Sequence, residues 1–134
     1  MTKRRLDSSK MAVPRIIATE SALNLLSELH QQHGALLFHQ SGGCCDGSAP
    51  MCFPEDEFLI DSNDVFIGEI DKVPFYMAAD QFEYWKHTQL TLDITPGRGS
   101  SFSLEAPTGN RFMIRSKLFT EEEMKHLTPI RKGA

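Results

Sequence analysis

Outside the nine residues from Cys44 to Cys52 the chain has no cysteine, and within them it has all three of its own. An odd number of thiols crowded into one stretch excludes the spread, even-numbered disulfide framework of a small secreted domain. Long apolar runs are missing too: none approaches the roughly 18 to 20 residues needed to cross a bilayer, so no membrane partner is expected. The start, Met1 to Arg15, is basic and leads into an amphipathic segment, not an unbroken apolar stretch, so no secretory signal is expected and the cytoplasm is the expected compartment. Basic residues are scarce in the body. From Ile16 to Asp80 only Lys72 stands against eleven acidic residues. Such a surface repels phosphate backbones and argues against nucleic acid as a partner. No phosphate-binding loop, dinucleotide fingerprint, nucleophile elbow or paired-histidine metalloprotease motif occurs.

With 134 residues the chain fits one domain, long enough to bury roughly two thirds of its unfolded surface. Residues 1–18 read as a basic, flexible leader and 19–134 as a single α+β domain. Ile16 and Ile17, after Pro14, allow a short strand at the end of that leader. Thr19 is a suitable N-cap with Glu20 behind it, Ala22, Leu25, Leu26 and Leu29 form one helical stripe, and Gly34 offers a left-handed stop. A helix is predicted over about 20–33. A short apolar strand, 35–39, then leads into the cysteine loop, read as lasting to Pro54. Strands are predicted at 57–60, 65–70 and 73–78, the last two joined by the tight turn Asp71-Lys72, so the middle reads as a meander. A helical turn capped by Asp80 carries Tyr84 and Trp85. Leu90, Leu92 and Ile94 alternate with polar residues as a half-buried strand does. Two glycine turns place further strands at 102–106 and 111–118, and Thr120 to Glu123 is a capping box opening a helix to about Leu127. The expected fold is a helix near the N-terminus followed by a largely antiparallel twisted sheet or partial barrel of about seven strands, with edges that make a homo-oligomer plausible.

The chemistry is expected at Cys44, Cys45 and Cys52. Thiolates suit zinc, ferrous iron and iron–sulfur units, and Gly42, Gly43 and Gly47 let the backbone bend enough for several sulfurs to converge. The fourth ligand is left open among His39, Asp46, water and a second subunit, with His87 beside Trp85 a further candidate. Asp46, Glu55, Asp56 and Glu57 would raise thiol pKa values while favouring a cation, which ranks metal binding above thiol catalysis. Two alternatives stand. One is a thiol redox enzyme or sensor pairing Cys52 with Cys44 or Cys45. The other is a purely structural binding module whose partner face includes Trp85, the cysteines being packing residues. A non-catalytic role is expected over an enzyme.

The string Phe38-His39-Gln40-Ser41-Gly42-Gly43-Cys44-Cys45-Asp46-Gly47, with Tyr84-Trp85-Lys86-His87-Thr88-Gln89-Leu90, Gly97-Arg98-Gly99 and Phe102-Ser103-Leu104-Glu105, closely resembles a bacterial family known as domain of unknown function 779. Members are often encoded beside aldehyde dehydrogenases, which implies such a dehydrogenase as partner; the chain is too short to be one itself. A weaker resemblance is to the A-type iron–sulfur carriers of the HesB-like fold. It rests on Thr19-Glu20-Ser21-Ala22 opening a helix and on the glycine-rich loop Ser41 to Ser48. Those carriers have two further cysteines near the C-terminus, where this chain has none, so their fold transfers better than their cluster. Together these readings imply a metal-binding accessory protein for an aldehyde- or alcohol-oxidising dehydrogenase.

Overall fold

The computed structural model of the chain describes residues 13–40, 50–57, 59–97, 103–127 and 130–132. Helix α1 spans Glu20–His33. The Thr19 hydroxyl accepts the Ala22 N–H at 3.1 Å, and Gly34, at φ 81°, donates its N–H to the His30 carbonyl at 2.8 Å. Ala22, Leu25, Leu26 and Leu29 are buried along one face, as their spacing requires.

Two open sheets follow, in place of one sheet or a partial barrel. The smaller has the order β1-β6-β7, from Ile16–Ala18, Thr88–Pro96 and Asn110–Leu118. The larger has the order β3-β2-β5-β4-β8, from Met51–Pro54, Leu36–Gln40, Val73–Met77, Val65–Ile70 and Arg131–Lys132. The pairing is mixed, since β1 runs parallel to β6 and β2 parallel to β5. That corrects the meander expected for the middle of the chain. In β2, Leu36, Leu37, Phe38 and Gln40 are all buried, the pattern of a strand covered on both faces and therefore suited to the interior of a sheet. The turn between β4 and β5 places Asp71 and Lys72 at φ 50° and 69°, the left-handed pair that a two-residue hairpin requires.

The core lies between the sheets and the apolar face of α1. Phe38 stacks on Phe75 at 5.5 Å between centroids and meets Phe112 edge-on at 4.9 Å. These contacts join β2, β5 and β7. On the other side, β1 approaches β4 where its register shifts between Phe66 and Gly68. A Cβ on Gly68, at φ 153°, would stand 2.9 Å from Ile16 Cγ2. Gly68→Ala is expected to cost about 1–3 kcal/mol through overpacking and backbone strain. Urea unfolding should show a lower midpoint with an unchanged slope.

Several predicted elements differ. Residues 55–57 form a 3₁₀ turn, not the start of a strand. The reason is topological: β3 lies at one edge and β4 beyond β2 and β5, so the connection must cross the sheet. Within the 102–106 strand that was expected, the described residues 103–105 form a turn leading into the 3₁₀ segment Ala106–Thr108, and β6 pairs directly with β7 over its full length. Helix α2, Ala79–Trp85, has Ala78 and not Asp80 at its N-cap, so it starts two residues earlier than that cap implied. Helix α3 has the expected capping box but is only Glu121–Met124. No described helix is long and apolar enough to cross a membrane.

Candidate functional site

Strands β2 and β3 form an antiparallel pair whose register runs from Leu36 opposite Pro54 to His39 opposite Met51. β2 ends at Gln40 and β3 begins at Met51, and the stretch of sequence between them carries Cys44 and Cys45. Cys44, Cys45 and Asp46 lie outside the described residues, as does Arg98. Cys52 stands opposite Phe38 and points with it into the core, at 0 % exposure. Pleating then puts their neighbours His39 and Met51 on the opposite face.

The backbone of Cys52 turns away from β2. Its N–H donates to Ser103 Oγ at 2.8 Å, and its carbonyl accepts the Leu104 N–H at 3.0 Å. Residues 103 and 104 thereby cover the outer edge of β3. The Ser103 hydroxyl donates in turn to the Glu105 carboxylate, which also receives the N–H of Phe112 and its own. Thr108 holds this turn by donating both its N–H, at 2.9 Å, and its hydroxyl, at 2.7 Å, to the Glu105 carbonyl. Glu105 is 1 % exposed. Burial raises its pKa above the ordinary carboxyl value against the pull of its hydrogen bonds. Burial first, and the Glu105 charge second, push the Cys52 thiol far above its ordinary value. Cys52 is thus held protonated at neutral pH and is a poor nucleophile.

A stability test follows from the direction of the Glu105 shift. In the unfolded chain this carboxyl ionises at its ordinary pKa, while in the folded chain it keeps its proton to higher pH. Between the two values the unfolded state binds fewer protons, so stability falls as pH rises through that window. The metal-free wild type should lose stability there relative to Glu105→Gln. Parallel pH profiles of denaturation would contradict this.

The histidines occupy other places. His39 Nε2 and Asp64 Oδ1 lie 2.9 Å apart on the outer face of the larger sheet, and Asp64 Oδ2 accepts the Asp61 N–H at 2.9 Å. This pair pins the end of the β3–β4 connection to β2. It gives His39 a structural task on the face opposite Cys52. His87 is exposed, and its carbonyl receives the Phe119 N–H. Glu55, Asp56 and Glu57 are exposed as well. The carboxylate that acts on Cys52 is Glu105, which the sequence reading passed over. Trp85 is part of the core and Tyr84 is exposed.

The arrangement therefore brings one thiol and one carboxyl together in the core, linked by Ser103. Among the described residues no three or more His, Cys, Asp or Glu side chains converge as a metal site. A cation at this end would need donors from the cysteine-bearing segment as well.

Among curated proteins no sequence matches the chain. Residues 25–118 match the family described as "Domain of unknown function (DUF779)", a span from the middle of α1 to the end of β7 that includes all three cysteines, Ser103 and Glu105. By that match the chain belongs to the DUF779 family.

Proposed function

We propose that this protein is a non-catalytic metal-binding accessory protein whose ion, zinc or iron, is held by thiolates of Cys44, Cys45 and Cys52. One observation carries the reading: Cys52 lies just inside the base of the hairpin whose connecting segment bears the other two cysteines, with its side chain turned into the core. A ligand fixed on a paired strand, with two more supplied by the connection, is an economical way to build a closed structural or storage site. Burial argues against redox cycling, because a thiol that is inaccessible and held protonated exchanges slowly, while binding an ion requires the metal to displace that proton.

Elemental analysis of anaerobically purified protein tests the proposal. About one equivalent of a transition metal per chain is expected, lost when all three cysteines are changed to serine. Less than about a tenth of an equivalent, with no uptake on reconstitution, would defeat it. A specific intramolecular disulfide after mild peroxide would favour the redox alternative instead.

The partner and the finer fold belong to the same proposal. The aldehyde dehydrogenase partner rests on the gene neighbourhood that the resemblance implies, with metal delivery, maturation or stabilisation as the service. A HesB-like reading of the fold is supported by the order α1, β2, cysteine-bearing connection; the absence of later cysteines turns the ligand set toward a mononuclear ion and away from a carrier's cluster.

A further inference from the structure

A cleft opens between α1 and the β4–β5 hairpin, enclosing about 250 Å³ and lined by Leu26, Ser27, His30, Asp71, Lys72 and Val73. Leu26 and Val73 are buried and give it an apolar floor, while Ser27, His30, Asp71 and Lys72 are exposed around it. Ser27 and His30 stand three apart on α1 and so share one face of the helix. From Ile16 to Asp80, Lys72 is the one lysine or arginine against eleven acidic residues, yet among the described residues it forms no ion pair, nor do His30 and Asp71. The backbone of Lys72 is a second, independent observation. A two-residue hairpin needs φ above zero at both central positions, and Asp71, at φ 50°, is of a type that tolerates this. The second position ordinarily takes glycine, but Lys72 holds it at φ 69°. A lysine there strains the backbone where glycine would not, so the fold alone would be better served by glycine. What Lys72 adds at this position is its ammonium group, beside the cleft.

We propose that this cleft binds a small organic acid that carries a hydroxyl or amino group, a hydroxy- or aminocarboxylate. The Lys72 ammonium takes the carboxylate, and the Ser27 hydroxyl and His30 imidazole supply further donors from the helix. A plain anion would meet Asp71 as a like charge, whereas a hydroxyl or ammonium on the ligand makes that carboxylate its acceptor. Leu26 and Val73 receive a short carbon chain, which selects an organic acid over inorganic phosphate. The cleft is smaller than the roughly 300–1,000 Å³ of a site for drug-sized molecules, so the ligand is small. The lining contains no cysteine, and the inference does not rest on the thiolate reading.

The test is an amide chemical-shift titration of the full chain with 3-hydroxybutyrate and 4-aminobutyrate, and with butyrate, butane-1,3-diol and inorganic phosphate as controls. Saturable shifts at Ser27, His30, Lys72 and Val73 are expected with at least one of the first two probes. Each control lacks one of the three features, and should bind at least roughly tenfold more weakly, the effect of losing one charge-assisted hydrogen bond. No saturable shift in the cleft with either probe would overturn the inference. Butyrate or phosphate binding as tightly as the better probe would overturn the ligand class, the latter marking an adventitious anion site only. Lys72→Gly should weaken the better probe by at least roughly tenfold as well. Its urea midpoint should stay at or above that of the wild type, because glycine relieves the left-handed turn. Unchanged affinity in Lys72→Gly would overturn the inference, and a midpoint below the wild type would do so too by assigning the lysine to the fold.

Discussion

Phe38→Ala is expected to destabilise the protein by about 3–5 kcal/mol, as large-to-alanine changes at a closed aromatic site do. Few domains have more than about 5–15 kcal/mol to lose. Phe38 has no exposed surface and touches Phe75 on the neighbouring strand and Phe112 across the core. It is therefore the side chain through which β2 and β5 meet the smaller sheet. The cavity left behind would adjoin Cys52, its cross-strand partner, so the site should loosen together with the core. Denaturant titration read by far-UV dichroism checks the magnitude. A loss under about 1 kcal/mol would mean that the two sheets do not depend on this contact.

Cys52→Ala is expected to lower metal retention by two orders of magnitude or so while changing the metal-free fold little, by about 1 kcal/mol, since alanine fits a small apolar position with only a minor void. Cys52→Ser should match it in metal loss and exceed it in destabilisation by about 1–3 kcal/mol, because a hydroxyl placed at 0 % exposure must find a partner there. The contrast separates a ligand from a packing residue. Were Cys52 only packing, alanine would leave metal content untouched.

The local elements were largely legible because their signals are local. Thr19, the Leu25-Leu26-Leu29 stripe and Gly34 define α1 within a residue, and Asp71-Lys72 demands a tight hairpin whatever surrounds it. The alternation of Leu90 and Leu92 marks β6 as half-buried. What escaped the sequence was long-range pairing. Nothing in Phe38 and Phe75 says that their strands run parallel, and treating 57–60, 65–70 and 73–78 as sequential neighbours produced a meander where β5 in fact sits between β4 and β2. The crossing from β3 to β4 that this order forces explains why 55–57 and 59–64 lie outside the strands and why Asp64 ends beside His39.

The site was half legible. Three cysteines in one glycine-rich stretch announced themselves, and the inward direction of Cys52 follows once its partner is known to be Phe38. Glu105 did not, although Ser103 and Glu105 stand two apart as residues sharing one side of an extended segment do. Polar residues at such spacing ordinarily face water, and only the fold turns these two toward the core. The nearby acids Glu55, Asp56 and Glu57 carried the electrostatic argument in the sequence, yet they stay in solvent, where their influence on a buried thiol is screened.

The central claim is that sulfur from this one stretch binds a metal ion. X-ray absorption at the edge of the metal in anaerobically purified wild-type protein tests it most directly. The account predicts a dominant sulfur shell at about 2.3 Å, with three scatterers when zinc is bound. A shell made only of nitrogen and oxygen would contradict it.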